Sequence, residues 1–271
     1  MRVETNGIAL EVDVEGEGPA VLLLHGWPDS AALWRHQIEA LNEAGYRTIA
    51  PDLRGYGRSD RPDDVGQYNL LFLAADVVGL LDDLGVQRTH LIGHDWGAAL
   101  AWVTAAFAPD RVDHLVTMSV GHPLAVGAAG FEQRERSWYM LLFQFEGVAE
   151  QWLSMDNWAN FRGLFRHPDA DAVAAAMEQP GAMTAALNWY RANIPPEALL
   201  GPPPEFPPIQ APTMGIWSTG DRHLIEASMT GSGDHVAGSW RYERIDTDNH
   251  WMQLTAPDTV NSLLLDFLPK P

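Results

Sequence analysis

Short runs that are apolar throughout alternate along this chain with longer runs in which apolar residues recur every three or four positions. Residues 8–14 ("IALEVDV") alternate as a half-buried strand does, and "GEGP" supplies the turn that follows. "AVLLLHG" (20–26) is continuously apolar, the mark of a strand covered on both faces of a mainly parallel sheet. A helix is expected from Ser30, a suitable N-cap, to about Ala44, and then a strand at "YRTIAP". "LLFLAADVVGLLDDLG" (70–85) reads as an amphipathic helix stopped by Gly85. "THLIGH" is the next strand, 96–108 the next helix and "VDHLVTMSV" (112–120) another strand. This alternation predicts an α/β fold with a doubly wound, mainly parallel sheet.

After Pro123 the rhythm changes. Residues 131–193 offer helical, aromatic segments and no clear strand, and the Pro-rich stretch "GPPPEFPPIQAP" (201–212) follows as a stiff connector. Strand patterns return at "TMGIWS" (213–218) and "SWRYERID" (239–246), with a last helix near 257–268. The expected organisation is an α/β core at 1–123 and 211–271, interrupted by an all-helical cap at 124–210. A length of 271 residues suits one core with one insertion.

Composition removes some functions without choosing among the rest. A net charge of −19 argues against nucleic acid, whose phosphates need a basic face. With no cysteine there is no disulfide framework and no thiolate metal site. The ten histidines offer no H-E-x-x-H motif, and the single H-x-x-x-H pair, His90 and His94, falls within the expected strand "THLIGH", so no metal is expected. "MRVETNGIALEVDV" lacks the apolar core of a signal peptide and no 18-residue apolar run follows, so a cytoplasmic protein with no membrane partner is expected.

The stretch "LIGHDWGAAL" carries the chemistry. Gly93 and Gly97 flank Asp95 between an apolar strand and an Ala-rich helix, the G-x-S-x-G strand–turn–helix pattern with a carboxylate in place of the hydroxyl. Taken alone, Asp95 could equally be an N-cap of the helix. Two later residues favour chemistry. Asp221 follows the strand "TMGIWS" and His250 follows "SWRYERID", giving the order nucleophile, acid, histidine. Asp234, Asp246 and Asp248 are competing acids that could instead be turn residues. Oxyanion donors are expected from the amide after the nucleophile, Trp96, and from Trp27 in "HGWP" directly after the first buried strand. His25 reads as a loop histidine tied to backbone. "DLRGYGRSDRP" lacks the Lys-Ser/Thr ending of a phosphate loop and reads as structural.

A carboxylate at this corner suits displacement at saturated carbon. With a reference pKa of about 3.9 it is already ionised and needs no base to attack. Attack gives an alkyl ester, which leaves the histidine free to activate water against it, with two amides holding the oxyanion. The leaving group decides what else is needed. A halide needs only N–H donors, whereas an epoxide oxygen needs an acid, and a neutral tyrosine can donate to it. The insertion contains two tyrosines, Tyr139 in "SWYMLLFQFEGVAE" and Tyr190 in "LNWYRANI", either of which could simply be a packing residue.

"HGWPDS", "DLRGYGRSD", "GHDWGA", "WYMLLFQFEGVAE", "LNWYR" and "DNHWMQLTAPDTVN" occur in an order that resembles the soluble epoxide hydrolases of the α/β-hydrolase fold, over nearly the whole chain. The resemblance implies Asp95 as nucleophile, His250 as base and Asp221 as its orienting acid. It implies Tyr139 and Tyr190 as the cap tyrosines that hold and protonate the epoxide oxygen, and Trp27 and Trp96 at the oxyanion and substrate positions. "GHP" (121–123) stands where the family often has an Asn-containing turn, so His122 either lines the pocket or fills the hinge; Trp251 is a further expected lining residue. The implied partners are a small apolar epoxide and water, without a cofactor, in a monomer or homodimer. Haloalkane dehalogenases share the Asp elbow but usually carry Asn after "HG", where this chain has Trp27. Haloacetate dehalogenases generally place Arg after the nucleophile, where it has Trp96. A catalytically silent binding scaffold would have no need of all five groups.

Overall fold

A computed structural model describes residues 1–201, 203–247 and 249–271. Eight strands form one sheet: β1 (Arg2–Thr5), β2 (Ile8–Glu15), β3 (Ala20–Leu24), β4 (Arg47–Pro51), β5 (Thr89–His94), β6 (Val112–Met118), β7 (Thr213–Ser218) and β8 (Trp240–Ile245). Their order is β1-β2-β4-β3-β5-β6-β7-β8. β2 runs antiparallel to both of its neighbours, and every pairing from β4 to β8 is parallel. The central strands are buried along their whole length because helices cover both faces; no residue of β5 or β7 is exposed. β1 is an addition to the sequence reading, too short and too polar to have announced itself.

The core helices are α1 (Arg35–Glu43), α2 (Leu70–Asp83), α3 (Trp96–Phe107) and, at the end of the chain, α11 (Met252–Thr255) and α12 (Pro257–Phe267). α1 packs with α11 and α12, and α2 with α3. The helix expected from Ser30 begins as a 3-10 turn at Ala31–Trp34, and the Ser30 side chain makes no capping bond. α3 is buried from Trp96 to Ala106, which explains its alanines: small side chains let it lie close on the sheet.

Between β6 and β7 the described chain is helical, with α4 (Pro123–Ala128), α5 (Gly130–Arg136), α6 (Trp138–Leu142), α7 (Val148–Phe165), α8 (Ala170–Met177) and α9 (Ala182–Asn193), then a 3-10 turn at Pro196–Leu199. α7 is interrupted at Met155–Trp158, where three consecutive residues adopt positive φ. A last short helix, α10 (Glu226–Thr230), lies between β7 and β8.

The strand order reverses where β3 lies between β4 and β5. In open α/β sheets that reversal leaves a crevice at the carboxyl ends of the strands. The loops after β3, β5, β7 and β8 emerge at that edge, and they carry Trp27, Asp95, Asp221 and His250.

Candidate active site

The turn at Asp95 is tight enough to exclude side chains on both sides. A Cβ at Gly97 would stand 2.0 Å from the Leu24 carbonyl oxygen, and one at Gly93 would stand 2.2 Å from the Gly97 carbonyl oxygen. Asp95 itself has φ 52° and ψ −122°. A non-glycine residue held there costs about 1–3 kcal/mol, which the surrounding packing must offset. Its carboxylate does not cap α3. Instead Oδ1 accepts a hydrogen bond from the Trp27 amide at 2.8 Å, and Oδ2 lies 3.7 Å from His250 Nε2.

His250 Nδ1 donates to Asp221 Oδ2 at 2.7 Å. The other Asp221 oxygen accepts from the amides of His223 (2.8 Å) and Leu224 (3.0 Å), which fixes the carboxylate from behind. Burial, the largest influence on Asp221, pushes its carboxyl up, but the His250 imidazole beside it reverses this to about 2. Burial pushes His250 down, yet Asp221 and Asp95 together raise it to about 10. The resting site therefore holds a cationic imidazolium between two carboxylates. Of the competing acids, Asp246 is 91% exposed and Asp234 lies on the surface. Asp248 is outside the described residues.

Trp96 opens α3, so its amide is one of the first-turn N–H groups that the helix cannot satisfy internally. The Trp96 ring meets Tyr190 edge-on at 5.0 Å, and Trp27 meets Tyr190 at 6.1 Å and Phe165 at 4.4 Å. Tyr139 stands 6.3 Å from Tyr190, ring centre to ring centre. Both tyrosines are buried, and burial, followed by nearby charges that include Asp95, raises both hydroxyls well above their ordinary value. They stay neutral donors at any physiological pH. The helical segment thus brings two phenols near enough to the elbow for the Asp95 charge to act on both.

A family model described as the alpha/beta hydrolase fold matches residues 19–257. The chain belongs to the α/β-hydrolase fold family. This α/β hydrolase is 34% identical to the AB hydrolase superfamily protein YfhM of Bacillus subtilis, over 98% of its own length and 96% of the relative's. It is 35% identical to epoxide hydrolase A of Mycobacterium tuberculosis, again over 98% and 96%. Among solved structures it resembles epoxide hydrolase A from Mycobacterium thermoresistibile, with a TM-score of 0.82 and 34% identity over 99% of this chain and 97% of that one. A Bacillus megaterium epoxide hydrolase in complex with an inhibitor matches with a TM-score of 0.90 and 27% identity over 98% and 99%.

Two expected lining residues of the α/β hydrolase sit elsewhere. The His122 ring stacks on His235 at 4.3 Å and meets Phe206 and Trp102, so it fills the hinge beneath the Pro-rich connector and does not face Asp95. Trp251 lies behind His250, with ring centres 4.8 Å apart, and its indole N–H donates to Asp29 Oδ2 at 2.8 Å. Sequence reasoning missed that seam. The Asp29 Oδ1 accepts from His167 Nε2 at 3.0 Å, tying the segment after α7 to the loop after β3. It also missed His94, whose Nε2 donates to the His250 carbonyl at 3.2 Å, and Ser119, whose hydroxyl donates to the same oxygen at 3.2 Å. Burial lowers His94 to about 4, so it stays neutral beside the cationic His250. His25 is tied to backbone at both nitrogens, to the Gly26 carbonyl and the Leu53 amide.

Proposed function

We propose that this hydrolase opens epoxides to vicinal diols through a covalent ester on Asp95. The observation that carries this reading is the pair of buried, neutral tyrosines, Tyr139 and Tyr190, around the elbow carboxylate. Relatives named epoxide hydrolase that match along most of the chain support it. A halide leaves as a stable anion and has no use for two hydroxyl donors, whereas the oxygen of a ring-opened epoxide must be protonated.

In the first step Asp95 Oδ2, the oxygen not engaged by the Trp27 amide, forms a bond to an epoxide carbon. The ring C–O bond breaks, and the oxygen takes a proton from Tyr139 or Tyr190. In the second step His250 Nε2 takes a proton from water, whose oxygen attacks the ester carbon, while the Trp27 and Trp96 amides hold the oxyanion. Collapse breaks the acyl C–O bond; the leaving alkoxide takes the proton from His250, and the second proton of the water passes to the tyrosinate, which restores the carboxylate and the phenol as the diol leaves. His250 must be neutral for this step. Esterification removes the charge of Asp95, one of the influences that raise the imidazole, and so moves it toward the neutral form when a base is needed.

Residues 124–210 act in this reading as a lid that carries the proton donors. Rings of Trp27, Phe143, Phe161 and Phe165 pack against one another over the elbow and favour an apolar substrate. A parallel assay on aryl and alkyl epoxides and on haloalkanes tests the proposal. Diol release without halide release is expected, and the Tyr139→Phe/Tyr190→Phe double variant should lose epoxide opening. Halide release as the main reaction, or normal epoxide turnover by the double variant, would sink it.

A further inference from the structure

A small cavity reaches the base from the surface. It measures ≈ 10 Å³, with Arg166, Arg222 and Asn249 on its solvent-facing side and Phe165, His223 and His250 on its buried side. Among the described residues neither Asp95 nor either cap tyrosine lines it. That separation matters for the order of events. Once Asp95 carries an alkyl group, the organic part of the ester occupies the space under the tyrosines, so the water of the second step needs another way to His250.

The cavity is about the size of one water molecule, and a held water needs two or more polar partners. His223 supplies one of them. Its ring is 5% exposed, and Nε2 is buried with no hydrogen-bond partner among the described residues. The ring stands edge-on to His250 at 5.6 Å and to Tyr139 at 5.4 Å. Its own amide is bound to Asp221 Oδ1, so the backbone, and not a side-chain chain of bonds, fixes where the ring stands. Burial lowers the imidazole to about 4, which leaves it neutral at working pH with a nitrogen free to bond water.

We propose that this cavity is the seat from which water is drawn for ester hydrolysis, and that His223 is the positioning residue that holds this water against His250. The inference rests on the ester route proposed above. The proton balance is unchanged: water gives one proton to His250 Nε2, its oxygen bonds to the Asp95 carboxyl carbon, the acyl C–O bond to the diol breaks, the departing alkoxide takes the proton from His250, and the second water proton returns to the tyrosinate left by ring opening. His223 exchanges none.

Rapid-quench measurements with styrene oxide as the probe separate the two half-reactions in the parent, His223→Leu and His223→Gln. In His223→Leu, alkylation should keep its rate within about twofold while ester hydrolysis slows tenfold or more, so that alkyl-enzyme accumulates. His223→Gln keeps a polar group and should recover part of that loss. Because His223 is buried, Gly220→Val serves as a second variant that adds bulk where Gly220 lines the cavity, and the same selective slowing is expected. Equal loss of both rate constants, or hydrolysis at the parental rate in both His223→Leu and Gly220→Val, would overturn the water seat. Diol formation by the parent with no alkyl-enzyme at any time would instead overturn the ester route on which it stands.

Discussion

His250 lies between two carboxylates, and its proton affinity reports on both. Burial works against its charge, while Asp221 at 2.7 Å and Asp95 at 3.7 Å raise it to about 10. Replacing Asp95 with Asn removes one of the two charges and keeps the shape. In an NMR titration the His250 ring of Asp95→Asn should therefore titrate below the parent ring; an equal or higher value would show that Asp95 does not hold the imidazolium. The same variant mimics the neutral ester, so ester hydrolysis should rise with pH through a midpoint below about 10. At this scale the sequence was informative where chemistry requires a fixed order and a fixed turn. The glycines at 93 and 97 are forced by backbone contact, and Asp221 and His250 fall directly after strands. It was uninformative where a role depends on which way a ring points. Trp251 adjoins His250 in the chain yet turns its indole to Asp29, and His122 stacks on His235, which is distant in sequence.

At the scale of elements, one joint between the helical segment and the core is a buried carboxylate. Asp29, after β3, accepts from His167 beyond α7 and from Trp251 before α11. Burial pushes the Asp29 carboxyl up, but His167 and Trp251 outweigh it, so the group ends below its ordinary value. Asp29→Asn can still accept one bond, leaving a second donor buried and unpaired at a cost of about 1–3 kcal/mol. A fall of several degrees in the unfolding midpoint is expected, with weakened activity because both the lid and the residue after His250 lose their anchor; an unchanged midpoint would contradict the seam. Strands and core helices were legible because their apolar periods differ. The seam and the break in α7 at Met155–Trp158 were not, since each depends on partners far apart in sequence or on backbone angles that composition does not encode.

For the whole molecule, buried and half-buried histidines set how stability varies with pH. His25, His90, His94, His114, His122 and His223 are all lowered from 6.5, chiefly by burial, with His90, His94 and His223 near 4. The unfolded chain binds those protons first as pH falls, so stability declines progressively from about pH 6.5 toward 4. His250, raised to about 10, has the opposite sign: its contribution is complete below 6.5 and is lost as pH rises toward 10. Each proton changes stability by at most about 1.4 kcal/mol per pH unit, and several act on the acid side against one on the alkaline side. The unfolding midpoint should fall further between pH 7 and 5 than between pH 7 and 9; the reverse asymmetry would refute these environments. The covalent route is the claim on which the functional reading depends, and His250→Gln tests it most directly. That variant keeps Asp95 and both tyrosines but cannot activate water. Mass spectrometry after incubation with styrene oxide should find the mass of one intact epoxide added to the peptide that contains Asp95. Diol formation with no adduct on that peptide would contradict it.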